Sequence, residues 1–184
     1  MNSLKTQTLL RSALVALFLF AASNVAFAAN SKDKVLIVMG SETDRQYMSE
    51  TQRWLTWFGI ENDLVITSVH RTPDLVRSTV GAAEKNGYKI VIAGAGMAAA
   101  LPGMSASYTT LPVLGVPLEG GLPGGLDALY SVVQMPAGIP VGTLAVGRAG
   151  ARNAAVLAAR ILAINNPETA KRLDTFKQNG YKIE

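Results

Sequence analysis

The sequence predicts a three-layer α/β/α sandwich built on a parallel, flavodoxin-like sheet, and three observations carry that prediction. From Lys34 onward, short runs rich in Val and Ile alternate with longer stretches of helical periodicity, the pattern of successive βαβ units. Those runs are apolar at nearly every position, as strands covered by helices on both faces are. With 184 residues, 49% of them hydrophobic, the chain has enough apolar material for one core of ordinary size. No internal repeat or low-complexity linker divides it.

The first strand is read at residues 35–39. A helix follows over 44–58, because Tyr47, Met48, Thr51, Trp54, Leu55 and Phe58 recur at spacings of three and four, the period of a buried helical face; Gly59 ends it. The second strand, 64–67, leads to a helix that opens at Thr72-Pro73 and stops before Gly87. Thr72 is its expected cap, and Pro73 takes the first helical position, where an N–H would lack a partner in any case. Strands at 90–93, 113–116 and 141–146 and helices at about 98–108, 126–134, 151–164 and 167–178 complete the alternation.

The first 28 residues differ in character. Lys5 and Arg11 precede an apolar run over residues 13–20, and small residues then lead to Ala26-Phe27-Ala28, the three-part layout of a secretory signal cleaved after Ala28. A membrane-spanning helix is the rival reading, but the run is shorter than the roughly 20 residues that a bilayer requires. The expected division is a signal peptide, 1–28, and a single domain, 29–184, exported to a compartment such as the periplasm and cytoplasmic only if the signal does not operate. Removing Lys5 and Arg11 lowers the net charge from +4 to +2. Lys32, Lys34, Lys171, Arg172, Lys177 and Lys182 lie near the ends of the mature chain, where charge reads as solvated surface, so neither a nucleic-acid partner nor a stable membrane anchor is expected. The absence of cysteine excludes disulfides, thiol catalysis and thiolate metal sites. With one histidine, a zinc or iron site would rest almost wholly on carboxylates, and no metal is expected.

In an open parallel sheet, ligands bind beyond the carboxyl ends of the strands, so the residues after each strand carry the information. After the first come Gly40-Ser41-Glu42-Thr43-Asp44, with hydroxyls and free N–H groups at a helix N-terminus, which attract phosphate. Asp44 offers acceptors to ribose hydroxyls, and the plainer alternative is that Thr43 or Asp44 only caps the helix. After the second come Ser68-Val69-His70-Arg71-Thr72-Pro73. There Arg71 supplies a forked cation suited to phosphate, and His70 is the one side chain able to donate or accept a proton near neutrality. A lone histidine is more often structural, and its place in a loop between a buried strand and a Pro-initiated helix brings the functional reading nearer to level with that one. The third loop, Gly94-Ala95-Gly96-Met97-Ala98-Ala99, superficially fits a dinucleotide fingerprint. That fingerprint belongs to the first βα turn and a continuous helix, whereas Pro102 interrupts this one, so small residues permitting close backbone approach are the plainer account. The fourth loop runs from Pro117 to Gly125 and is rich in glycine.

These loops are similar to those of the PurE family, the 5-(carboxyamino)imidazole ribonucleotide mutases of purine biosynthesis. The resemblance spans residues 34–165 and is densest at VMGSETD (38–44), SVHRTPD (68–74), AGAG (93–96) with LPGM (101–104), and YSVVQMPAGIPVGTLAVG (130–147). It implies a three-layer sandwich assembled as a homo-octamer, substrate held between subunits, no metal or organic cofactor, and movement of a carboxylate from the exocyclic nitrogen of a phosphoribosyl-aminoimidazole to ring carbon C4. By position it implies that Ser41, Ser68 and Arg71 hold the phosphate, that Asp44 binds the ribose, and that His70 is the acid/base. The chain departs from the family pattern at Met97, where the family has glycine, and at Ala100, where it has a second histidine; Met97 is expected to fill space where CO₂ sits. Asp127-Ala128-Leu129-Tyr130-Ser131 also lacks the hydroxyl of the family's DSLYS. Three functions follow as expectations: a PurE-type enzyme; an exported, diverged ribonucleotide-binding or regulatory protein without mutase activity; or an altered reaction on another ligand with His70 still the proton carrier.

Overall fold

The computed structural model describes residues 33–183, so the signal-peptide reading and its boundary at Ala28 fall outside the described residues. Within them, β1 (Lys34–Met39), β2 (Glu61–Ile66), β3 (Tyr88–Gly96), β4 (Val113–Leu118) and β5 (Gly142–Thr143) form one all-parallel sheet in the order β2-β1-β3-β4-β5. This is the flavodoxin-like order, with a switch between β1 and β3 where the connections turn to opposite faces.

The strand sequences explain the layering. Along β1, Val35, Ile37 and Met39 enter one buried cluster while Leu36 and Val38 enter the other, because successive side chains of a strand point to opposite faces. The first cluster is closed by α1 (Arg45–Trp57), α5 (Gly147–Leu162) and α6 (Pro167–Gln178). Ala151, Ala154, Ala155, Ala158 and Ala159 on α5 are fully buried; their small size lets that helix lie close to the sheet and to α1, where Thr51 Oγ1 donates to the Ala151 carbonyl at 2.8 Å. Phe176 of α6 meets Trp54 and Phe58 edge to face at 5.5 and 5.3 Å, the arrangement that ring quadrupoles favour. The second cluster is closed by α2 (Pro73–Gly81), α3 (Leu101–Tyr108) and α4 (Leu126–Val133) through Val76, Val80, Leu101, Ala128 and Val132. Each fully buried Val, Leu or Ile contributes about 1.5–3 kcal/mol, so the two clusters together hold the sheet rigid beneath its loops.

Several boundaries differ from the sequence reading. β2 begins at Glu61, not residue 64, and alternates between exposed and half-buried positions. It is an edge strand, and Lys34 bridges to its Asp63 at 2.8 Å. The fifth strand is only Gly142–Thr143, not 141–146. Its chain turns early into α5, which starts at Gly147 with a positive φ of 71°, and a Cβ on Gly150 would stand 1.6 Å from the Ala145 carbonyl oxygen. Helix α2 ends at Gly81, and turns fill the span to Gly87. Helix α3 begins at Leu101, not residue 98, which puts Pro102 in its first turn, where proline is tolerated. Among the described residues, no helix is long and apolar enough to cross a membrane.

Candidate functional site

Beyond the carboxyl ends of β1, β2, β3 and β4 lies a cavity of about 330 Å³, lined by the loop that follows each strand. It brings together all five residues singled out from the sequence: Ser41, Asp44, Ser68, His70 and Arg71. Their sequence separation spans two βα units, and the parallel pairing of β1 with β2 sets them side by side.

The β1 loop is organised by Asp44. Ser41 initiates a short 3-10 turn, Glu42–Asp44, that leads into α1. Asp44 Oδ2 accepts the Ser41 backbone N–H at 2.9 Å and its hydroxyl at 3.1 Å, while the Ser41 and Thr43 hydroxyls lie 2.6 Å apart. Asp44 reaches back to Ser41 and makes no side-chain cap to α1, so the capping alternative holds only for the 3-10 turn. Asp44 is 9% exposed. Burial pushes its carboxyl above the usual aspartate value, and the Ser41 hydrogen bonds and the Arg71 charge oppose that rise.

The β2 loop is organised by Ser68. The Ser68 hydroxyl oxygen accepts the Arg71 N–H at 3.3 Å, and its carbonyl accepts the Thr72 N–H at 2.7 Å. Thr72 occupies the N-cap position of α2 as expected, but its side chain makes no capping bond; its hydroxyl accepts the Ser68 N–H and donates to the Ser68 carbonyl, both at 3.1 Å. The loop is thereby closed on itself, and His70 and Arg71 are presented with exposed side chains on the cavity. An imidazole and a guanidinium held beside hydroxyls and a buried carboxylate can bind an anion, hold a sugar hydroxyl and carry one proton.

The opposite wall is built from the β3 loop, Gly96, Met97, Ala98 and Ala100, with Glu119 and Gly120 from the β4 loop. Gly96 is required by close approach, because a Cβ there would lie 3.2 Å from the Leu118 carbonyl and 3.3 Å from that of Glu119. Met97 adopts a positive φ of 55° and is 61% exposed; its side chain stands at the rim, where the sequence suggested that it occupies enclosed space. Glu119 was not singled out from sequence, although its place just after an apolar strand is a legible signal. The Tyr47 hydroxyl approaches its Oε2 at 3.4 Å.

Fold and cavity together define an open α/β domain with a cavity of small-molecule size at the topological switch of a flavodoxin-like sheet. The AIR carboxylase family model matches residues 34–182. The chain is 49% identical over 149 residues to the N5-carboxyaminoimidazole ribonucleotide mutase of Escherichia coli K12, covering 81% of this chain and 88% of that protein. It is likewise 49% identical over 141 residues to the protein of the same name from Vibrio cholerae, covering 77% and 88%. Among solved structures it resembles Treponema denticola PurE, with a TM-score of 0.74 and 29% identity over 81% of this chain and 92% of that one. The chain belongs to the AIR carboxylase family.

Proposed function

We propose that this protein is an N5-carboxyaminoimidazole ribonucleotide mutase of PurE type, in which His70 carries the proton. The observation that bears most weight is the pairing of His70 and Arg71 in one self-closed loop on a cavity shared with Ser41 and Asp44. Arg71, Ser41 and Ser68 hold the phosphate, since a guanidinium fork and hydroxyls match its oxygens. The Ser68 oxygen is engaged as an acceptor, and its own proton has no protein acceptor among the described residues. Asp44 takes a ribose hydroxyl. With the phosphate at the Arg71 end, the heterocycle extends past His70 toward the small residues of the β3 loop.

The reaction is an isomerisation, and its atoms balance without a co-reactant. The bond between the exocyclic nitrogen and its carboxylate carbon breaks, CO₂ departs without the bonding pair, and the nitrogen gains a proton from His70. Ring carbon C4 then attacks the CO₂ and loses its hydrogen as a proton, which returns to His70. One titratable group within hydrogen-bond reach serves both transfers.

A homo-octamer and export belong to the same proposal. Leu122, Leu126, Tyr130 and Val133 are 60, 48, 63 and 47% exposed on and just before α4, an apolar stripe that a second copy of the chain would cover. The layout of residues 1–28 supports export, and N-terminal sequencing of the exported chain is expected to start at Ala29; an intact Met1 in a soluble cytosolic fraction would refute it. The decisive assay follows conversion of N5-carboxyaminoimidazole ribonucleotide to its 4-carboxy isomer by the purified protein. Turnover within the usual enzymatic range of about 1–10³ per second is expected. Binding without turnover would instead identify a ribonucleotide-binding protein.

A further inference from the structure

Two carboxylates border the cavity, Asp44 from the β1 loop and Glu119 from the β4 loop. The function proposed above employs only the first. A ribose carries two vicinal hydroxyls, and Asp44, whose Oδ2 already accepts twice from Ser41, takes one of them. Glu119 is differently placed. Among the described residues its side chain has one hydrogen-bond donor, the Tyr47 hydroxyl at 3.4 Å, and no cationic partner. That bond is long and therefore weak, so most of the acceptor capacity of a carboxylate is left for a ligand.

The sheet aims this carboxylate. β3 lies between β1 and β4, so the loops that carry Asp44 and Glu119 stand on either side of the β3 end, two strand spacings or about 10 Å apart. Gly96 puts no side chain between them, and the Glu119 backbone packs closely against it. Beyond Glu119, Asp127 Oδ2 accepts the Leu122 N–H at 3.1 Å and holds the rest of the β4 loop. Tyr47 sits on α1, three residues after Asp44 and hence on the same side of that helix. Its contact therefore carries the Glu119 carboxylate from the β4 end toward the Asp44 side. Both groups belong to one chain, so a neighbouring copy that completes the cavity leaves the pair in place.

We propose that Glu119 is a second ribose-binding residue, which with Asp44 grips the two vicinal hydroxyls from opposite sides of the β3 end, each carboxylate accepting from one O–H. A hydroxyl that donates to a carboxylate makes a charge-assisted bond. A carboxylate that the ligand covers but does not donate to is left without the water it had. The pair therefore selects ribose over either deoxyribose. The inference rests on the mutase reading and extends it to the sugar.

The test titrates the intact protein calorimetrically with the 4-carboxy ribonucleotide product and with its 2′-deoxy and 3′-deoxy forms. The wild type is expected to bind the ribose form at least about tenfold more tightly than either deoxy form. In Glu119→Leu the ribose form should weaken by a similar factor and discrimination against one deoxy form should vanish, while that against the other, owed to Asp44, persists. Glu119→Gln keeps an acceptor oxygen and should discriminate as the wild type does. Thermal unfolding of both variants checks that each is folded. A Glu119→Leu protein that still discriminates against both deoxy forms overturns the proposal alone, and so does a Glu119→Gln protein that behaves like the leucine variant. A wild-type chain that neither binds the ribose form nor turns over N5-carboxyaminoimidazole ribonucleotide overturns the mutase reading and this proposal with it.

Discussion

On the β1 and β2 side, the cavity is bordered by Ser41, Thr43, Asp44, Ser68, His70 and Arg71; on the β3 side it is bordered by Gly96, Met97, Ala98 and Ala100. The first wall is a set of hydrogen-bonded polar groups whose loops are closed by Asp44 and Ser68. The second is shaped by backbone approach, and its polar side chain is Glu119 of the adjoining β4 loop. The difference shows how one small site divides its work. On the proposed function, charge and proton transfer fall to one wall with its pre-organised loops, and the other wall leaves space for the ligand. Substitutions on the two walls are therefore expected to fail in different ways.

The largest expected effect is on the polar wall. Replacing His70 with Asn keeps size and polarity but removes the titratable group, and turnover is expected to fall at least about a hundredfold with a much smaller change in KM. His70 is exposed in its loop, so the fold does not depend on it. Steady-state kinetics checks this; a variant that retains wild-type kcat would remove His70 from the proton steps. Arg71→Ala comes next. Loss of a charge-assisted contact should weaken binding of a 5′-phosphorylated ligand by about 10–100-fold and binding of the matching nucleoside hardly at all. Calorimetric titration of the two ligands decides it, since equal losses would place Arg71 away from the phosphate.

How far these walls are legible in sequence follows from how they are made. The polar wall is legible because its groups are short contiguous blocks after apolar strands, and Ser41, Asp44, Ser68, His70 and Arg71 all reach one cavity. The hydrogen bonds inside the loops are not legible. Thr72 is the helix cap residue that it reads as, but its hydroxyl serves Ser68, because a hydroxyl next to Pro73 has two local partners and sequence does not rank them. Central strands read well, since Val35 to Met39 are buried on both faces. The edges read poorly: Glu61, Asn62 and Asp63 are polar yet paired with β1, and the fifth strand is cut short by glycines that start α5 beneath it. On the apolar wall, the conformation of Met97 had no sequence signal, because positive φ at a non-glycine residue is imposed by its surroundings.

Asp44 joins the polar wall to the core and should reveal itself through pH. Burial raises its carboxyl above the ordinary aspartate value, so in the interval from about 4 upward the folded state binds more protons than the unfolded one. Stability from this group is present below that interval and is lost as pH rises through the folded-state value. Asp44→Asn can keep an oxygen where Ser41 donates but cannot ionise. Chemical denaturation across this interval is expected to show a downward slope in the wild type that is reduced in Asp44→Asn. Parallel slopes would mean that the Asp44 carboxylate is no less comfortable folded than unfolded.

The smallest expected effect is on the apolar wall and concerns stability. At φ 55°, a side chain at position 97 costs roughly 1–2 kcal/mol relative to an ordinary conformation, and glycine removes that cost. Glycine also gives the unfolded chain more freedom, which disfavours folding by roughly 0.5–1 kcal/mol. The rim position contributes little burial, because Met97 is 61% exposed. The terms nearly cancel, with a small remainder in favour of the variant, so Met97→Gly is expected to unfold within about 1 kcal/mol of the wild type and on its stable side. Urea denaturation of the two proteins measures this directly. A loss well beyond that size would show that Met97 supports the fold through contacts deeper than the rim, and the contrast between a hydrogen-bonded wall and one shaped by backbone approach would have to be redrawn.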